Sequence, residues 1–286
     1  MYRIGIIGGS GLYQIEGLKI LKRISLTTPF GCPSDKFVLG LFEDREVVFL
    51  PRHGLGHKIL PGEINYRANI FGMKKLKVER IISVSACGSL KKEIKPLDFI
   101  LPDQFVDRTN SARKMTFFGE GLVAHVSMAW PVCLDLAKRI HNIVKNMGIN
   151  IHLGGTYLNM EGPAFSTRAE SELYRRWNMD IIGMTNIAEA RLAREAEICY
   201  VTLASVTDYD CWYEASEPVT NEMVRKNFAK NIENAKRIIQ AVVRLLPQEK
   251  RCECAWSLKY AIMTDKRYIP GKTKKNLKII IGKYLK

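Results

Sequence analysis

The sequence predicts an α/β fold: one domain with a central β-sheet flanked by helices. Three observations carry this. Short runs that are apolar on both faces alternate with segments of helical periodicity, as suits a sheet covered on both sides. The apolar runs give way to small or polar residues, the pattern of strand ends where α/β sheets bind ligands. The 286 residues, 47% hydrophobic, can bury one large core and show no internal repeat or Gly/Ser-rich linker.

In chain order, "RIGIIGG" is a strand entering a glycine turn, and "EVVFLPRHG" is a β-branched strand stopped at Pro51. "RIISVSACGSL", "DFILPDQFVD" and "ICYVTLASVTD" read as further strands. "PVCLDLAKRIHNIVKNMG" carries apolar residues at three- and four-residue spacing and ends in glycine. "TNEMVRKNFAKNIENAKRIIQAVVRLLP" reads as a long helix with Thr220 as N-cap. Its expected buried stripe is Met223, Val224, Phe228, Ile232, Ile239 and Val243, and it stops at Pro247. The α/β domain is expected over 1–247, with a C-terminal extension over 248–286.

The net charge of +15 raises the question of a nucleic-acid partner, but its distribution argues against one. From Lys266 to Lys286 there are eight basic residues and no acidic one, so over half the excess sits in a tail expected to be solvated or packed on a partner subunit. No apolar run approaches the roughly 18–20 residues that span a bilayer, and "MYRIGIIGGSG" lacks the pattern of a signal peptide. A cytoplasmic protein is expected. Seven cysteines, an odd number, argue against a simple disulfide framework. The "CEC" pair, Cys252 and Cys254, has no second Cys/His pair at zinc-site spacing, so no metal is expected.

The strand ends carry the candidate chemistry. "GGSG" does not fit the G-x-G-x-x-G dinucleotide pattern; it is a turn with the Ser10 hydroxyl and free backbone N–H groups, which suits phosphate or is simply tight. Arg52 and His53 supply oxyanion donors or an ordinary salt bridge. Ser85 and Ala86 allow a ligand close to the backbone, or close sheet packing. "EGPAFSTRAE" presents Phe165 and Ser166 before a helix, and "IIGMTN" presents Met184 and Thr185 after a strand. Asp208 and Asp210 end an apolar strand, where acids are costly unless something uses them or they cap a turn.

Taken in order, "GIIGGSGLY", "TPFGCPSD", "PRHGLGH", "NYRANI", "SACGSL", "PDQFVDRT", "EGPAFSTRAE", "GMTN" and "TDYDCW" make the chain resemble the trimeric purine nucleoside phosphorylase family over about residues 3 to 245. Within it, the likeness is to members acting on S-methyl-5'-thioadenosine. The resemblance implies a mixed sheet and cleavage of an N-glycosidic bond by phosphate, giving adenine and 5-methylthioribose 1-phosphate. Phosphate is then a co-substrate, with no metal or organic cofactor. It implies phosphate binding by Ser10, Arg52, His53, Ser85, Ala86 (through its N–H) and Thr185. Met184 is implied to pack on the ribose, Phe165, Asp208 and Asp210 to form the base site, and His125 to reach a neighbouring subunit's pocket in a homotrimer or homohexamer. Asp208 and Asp210 are the expected catalytic groups. An ionised carboxylate only accepts hydrogen bonds, so Asp208 suits a 6-aminopurine; the alternative is a nucleoside phosphorylase of broader or 6-oxopurine specificity.

Specificity is expected from Ser166, Val219, Asn221 and Val224. Asn221 stands where methylthio-specific members carry an apolar residue, which puts strict preference for methylthio over hydroxyl in question. Ala164 stands where the family often has Arg. The resemblance also implies that Cys133 and Cys199 are neighbours able to pair, as in some thermophilic relatives. A nucleic-acid-binding or catalytically dead nucleoside-binding protein would leave the phosphate and purine motifs without a role.

Overall fold

The structure, a computed structural model, describes residues 3–110, 112–213 and 221–285, and within these all side chains except those of Ser10, Tyr13 and residues 221–225. The elements run β1 (Arg3–Gly8), β2 (Lys19–Ile24), β3 (Phe37–Phe42), β4 (Arg45–Pro51), α1 (Tyr66–Lys75), β5 (Val78–Ser89), β6 (Phe99–Leu101), β7 (Gln104–Arg108) and α2 (Leu134–Val144). They continue through β8 (Ile151–Leu153), β9 (Thr156–Met160), α3 (Arg168–Arg176), β10 (Ile181–Gly183), α4 (Asn186–Glu195), β11 (Cys199–Tyr209), α5 (Asn221–Leu245), α6 (Gly271–Asn276) and α7 (Lys278–Ile281).

One mixed sheet organises the chain, in the order β2-β3-β4-β1-β5-β10-β9-β7, with β11 pairing both β5 and β6 and β8 extending from β6. Successive residues of a strand face opposite sides, and here both sides are covered. Ile4, Ile6, Val47, Phe49, Val201 and Leu203 bury against Leu136 and Ile140 of α2 and Ile238 and Val242 of α5. On the other face Ile7, Val48, Leu50, Ile81 and Tyr200 pack with Ile70 and Met73 of α1, Ala188 and Leu192 of α4, and Ile280 and Ile281 of α7. This is why the strands read as apolar without alternation.

Three expectations need correcting. "DFILPDQFVD" is two strands, β6 and β7, because Pro102 has no N–H to continue a ladder. The stripe of α5 is rotated: Asn231, Ala235, Ile238, Ile239, Val242 and Val243 are buried, while Phe228 is exposed and Ile232 only half-buried. Thr220 lies outside the described residues, as do the side chains of Met223 and Val224. Finally, the basic tail is not a solvated appendage. Leu258, Ala261, Ile269, Leu277, Ile280 and Ile281 bury in the second core cluster, so the apolar half of the tail packs on its own chain. Buried Arg80 of β5 anchors its start by donating to the carbonyls of Pro247, Gln248 and Glu249. Among the described residues, no helix is long and apolar enough to cross a membrane.

Candidate active site

The site arises where the neighbours of β5 diverge. β11 runs parallel along one edge of β5, from Arg80 to Ser89. On the other edge β1 pairs only up to Ser83, and β10 pairs antiparallel only at Gly88 and Ser89. Among the described residues, no strand lies beside the edge between, Val84–Cys87. Ligands of α/β sheets bind where strands part in this way. Ala86 sits in that gap and is exposed within an otherwise buried strand, while Ser85 and Cys87 on either side are buried.

One end of the gap is cationic. Arg52 follows β4, its N–H held by Gly8 O at 2.9 Å, and only 3% of it is exposed. Its Nε donates to Glu189 Oε1 at 2.6 Å, its Nη1 to Val84 O at 3.0 Å, and its Nη2 to Ser83 Oγ at 2.5 Å. Burial alone would lower its pKa, but the Glu189 carboxylate outweighs that and holds it firmly protonated. Glu189 of α4 in turn accepts from Ser83 Oγ at 2.6 Å and Tyr200 OH at 3.0 Å. Asn186 donates to Ser83, Tyr200 and Thr202, each at 3.0 Å, and accepts from Thr185 Oγ1 at 3.2 Å. Thr185 is therefore tied, at the N-terminus of α4, into the network that fixes Arg52. Ser83, Asn186, Glu189 and Tyr200 were not foreseen; a polar residue inside a helix or strand carries no local mark of such a role.

His53 stacks on His57, ring centroids 4.2 Å apart, and its Nδ1 lies 2.8 Å from Ile59 O. A carbonyl only accepts, so Nδ1 carries the proton and the neutral ring offers Nε2 as an acceptor. Burial, then the charge of Arg52, push its pKa down to about 4. The sequence expectation of His53 as a donor is thus revised: at neutral pH it accepts. Ser10 stands in a 3-10 turn, Ser10–Tyr13, directly after β1. A methyl group on Gly9 or Gly11 would meet nothing within 4 Å, so the turn borders open space.

The other end of the gap is acidic. The ladder of β11 on β5 shifts register between Val206 and Asp208. Two amides of α5 hold the irregular stretch: Asn231 Nδ2 donates to Val206 O at 2.8 Å and Asn227 Nδ2 to Thr207 O at 3.0 Å. The shift sets Asp208 opposite Gly88, where a methyl group would meet Asp208 Oδ2 at 3.7 Å and Asp210 Cβ at 3.5 Å. The two acids thus flank one small residue. Burial pushes Asp208 above the usual carboxylate range; the Thr207 hydroxyl opposes this and Asp210 adds to it. Burial likewise raises Asp210, against the pull of the nearby Ser171 hydroxyl, the Cys211 N–H and the Ser166 hydroxyl. Asp210 Oδ2 is buried and makes no hydrogen bond among the described residues.

Between the two ends lies the loop after β9. Arg113, buried, clasps it: Nε bonds Glu161 Oε1 at 3.0 Å, Nη2 donates to Glu161 O, and Nη1 to Met184 O at 2.5 Å. Gly162, at φ 71°, lies so close to Met184 that a methyl group would stand 2.5 Å from its sulfur. Phe165 is 84% exposed. Ser166 O accepts from Cys211 Sγ at 3.3 Å, which brings this loop to the turn after β11. Arg113 was another residue that sequence reasoning missed.

Not every expected residue joins. His125 is exposed on an outer segment, its N–H donating to Ala261 O at 2.8 Å, and no hydrogen bond among the described residues ties it to the strand ends. Val219 lies outside the described residues, as do the side chains of Ser10, Asn221 and Val224.

The chain resembles known proteins along nearly its whole length, including the tail beyond residue 245. A protein named S-methyl-5'-thioadenosine phosphorylase from Geobacter sulfurreducens is 55% identical over 99% of each chain. One of the same name from Thermofilum pendens is 48% identical over 91% of this chain and 98% of its own. Among solved structures, a methylthioadenosine phosphorylase from an antarctic soil metagenomic library superimposes with a TM-score of 0.93, at 46% identity and 98% coverage of both chains. The Schistosoma mansoni methylthioadenosine phosphorylase in complex with tubercidin gives 0.82, at 35% identity, covering 91% of this chain and 96% of its own. The family model described as the phosphorylase superfamily matches residues 3–244, the span holding both the cationic and the acidic end of the cleft, and the chain belongs to that family.

Proposed function

We propose that the chain cleaves S-methyl-5'-thioadenosine with phosphate, giving adenine and 5-methylthioribose 1-phosphate, a pentosyl transfer in methionine and purine salvage. The observation that carries this reading is the half-buried carboxyl of Asp208 and the buried carboxyl of Asp210, which flank Gly88, the latter with an oxygen unpartnered among the described residues, at the opposite end of the cleft from a buried guanidinium. The relatives' names supply the substrate.

Phosphate takes the end made by Arg52, the Ser85–Ala86 backbone, Thr185, Ser10 and His53. The N-terminus of α4 favours an anion there. Arg52 keeps one Nη1 proton beyond those given to Val84, Ser83 and Glu189. His53 accepts the proton of a phosphate hydroxyl through Nε2 and so orients the nucleophile. Met184 packs on the ribose, and exposed Phe165 covers the purine.

As the C1'–N9 bond breaks, its electron pair passes to the purine and positive charge builds on the sugar. A phosphate oxygen stabilises that charge and forms the new bond to C1'. Asp208, raised by burial, gives a proton to N7 of the departing base. The unpartnered Asp210 oxygen accepts from the 6-amino group, directly or through water. A 6-oxopurine would place an acceptor against that acceptor. Phosphate is a co-substrate and no cofactor takes part.

The working unit is a phosphorylase domain over 1–247 with the segment 248–286 locked onto it, assembled as a cytoplasmic homotrimer or homohexamer with His125 completing a neighbour's pocket. Ser166, Val219, Asn221 and Val224 set the preference between methylthio and hydroxyl. The test is a panel of methylthioadenosine, adenosine, inosine and guanosine, each with and without phosphate, with base and sugar products separated. Adenine and a sugar 1-phosphate formed only with phosphate, and best from methylthioadenosine, are expected. Equal turnover without phosphate, or preference for inosine, refutes the reading.

A further inference from the structure

Away from this cleft, the fold gathers four of the seven cysteines. Cys133 precedes α2, Cys199 begins β11, and Cys252 and Cys254 lie in the C-terminal segment. Their sulfurs all lie within 4.8 Å of one another, with Cys199 Sγ and Cys252 Sγ 3.4 Å apart. All seven cysteines are free. Cys133, Cys199 and Cys254 are buried and Cys252 is half-buried.

We propose that these four cysteines form a closed, four-thiolate site for a structural zinc ion. In a tetrahedral zinc–thiolate centre, bonds of about 2.3 Å set the sulfurs about 3.8 Å apart. The observed cluster brackets that spacing, so small side-chain adjustments complete the shell. Two separate pairs would not require every sulfur to approach every other. Four soft sulfur donors in a compact group select zinc over harder cations. The shell leaves no position for water or substrate, the mark of a structural centre. Its place agrees: Cys199 and Asp208 stand at opposite ends of β11, about 30 Å apart at the usual strand rise.

Four thiolates around Zn²⁺ leave a net negative charge, and a cation is at hand. Arg194 Nη1 lies 3.9 Å from Cys254 Sγ, while its Nη2 donates to Trp130 O and Val132 O, beside Cys133. Cys133 N–H donates to Tyr200 O at 2.9 Å, fixing it beside the start of β11. The ion would tie together three segments far apart in sequence. One of them continues into the strip where Met263 N donates to Val123 O at 2.9 Å and Ala261 O accepts from His125 N at 2.8 Å. The zinc thus anchors the C-terminal segment against which the outer loop rests.

The experiment uses the full chain, expressed with zinc available, purified anaerobically and passed through a chelator column before metal analysis, thiol titration and intact mass. About one zinc per chain is expected, falling below about a tenth in Cys252→Ser and Cys254→Ser. Replacement by cobalt should give the absorption of tetrahedral cobalt–thiolate, and mercurial displacement of zinc should lower Tm while the chain remains folded. Reduced wild-type chain without zinc overturns the proposal. So does iron in its place, or a mass and thiol count showing two disulfides. The wild-type measurements decide even if a serine variant does not fold.

Discussion

Glu189→Gln removes the charge that Arg52 faces while keeping the side chain's size. Arg52 and Glu189 are 3% and 1% exposed, so water cannot replace the lost partner. Breaking a buried pair from one side costs about 3–5 kcal/mol. The amide oxygen can still accept from Arg52 Nε or from Ser83 and Tyr200, but not from all of them as the carboxylate does. For a chain of this size each kcal/mol lowers Tm by about 2–4 °C, so the drop should be about 6–20 °C in phosphate-free buffer. Phosphate distinguishes this from general damage. If the guanidinium lies at the phosphate end of the cleft, a bound anion supplies the charge that Gln lacks. Added phosphate should then raise the variant's Tm by more than it raises the wild type's. Thermal unfolding across a phosphate series reads both effects. A variant within about 1 °C of wild type, or equal phosphate shifts in both, would refute the reasoning.

Three further outcomes are expected. Asp210→Asn replaces the six-position acceptor with an amide that can also donate, so the ratio of kcat/KM for inosine over adenosine should rise by at least about tenfold; an unchanged ratio removes Asp210 from the six-position. Gly183→Ala would set a methyl group 1.9 Å from the hydroxyl of wholly buried Tyr157, so stability should fall by about 1–3 kcal/mol in chemical denaturation, with phosphate KM rising because Met184 and Thr185 follow directly. Glu195 is pushed up to about 7 by burial, against the Phe117 N–H and Thr116 hydroxyl that bond it. The native state therefore keeps its proton where the unfolded chain has lost it. That contribution is whole below about pH 4.5 and lost as pH rises through about 7, at most about 3 kcal/mol. Denaturation midpoints of Glu195→Gln should decline less over that window than those of wild type, and parallel curves would contradict the assignment.

What could be read from the sequence follows from how each residue does its work. β1, β4, β5 and β11 announced themselves because a strand buried on both faces must be apolar throughout, and their ends stood out as abrupt changes to Gly, Arg, Ala or Asp. Arg52, Ala86 and Asp208 were visible for that reason. Glu189 was not: in "NIAEARLARE" it looks like any helix acid, and only the packing of α4 on Tyr200 and Ser83 sets it against Arg52. The resemblance set Cys133 beside Cys199, but their meeting with Cys252 and Cys254 was hidden by the same distance in sequence, since zinc-site spacing is sought within one segment. The conformation of Asp208 combines both cases. Its residue type was legible, but its aim depends on a register shift in β11 and on Asn227 and Asn231, about two and three helical turns into α5, which take up the carbonyls around it. A carboxylate can be found by inspection of a strand end; the backbone geometry that turns it toward Gly88, and toward a purine, is made by a helix that only the folded chain brings there.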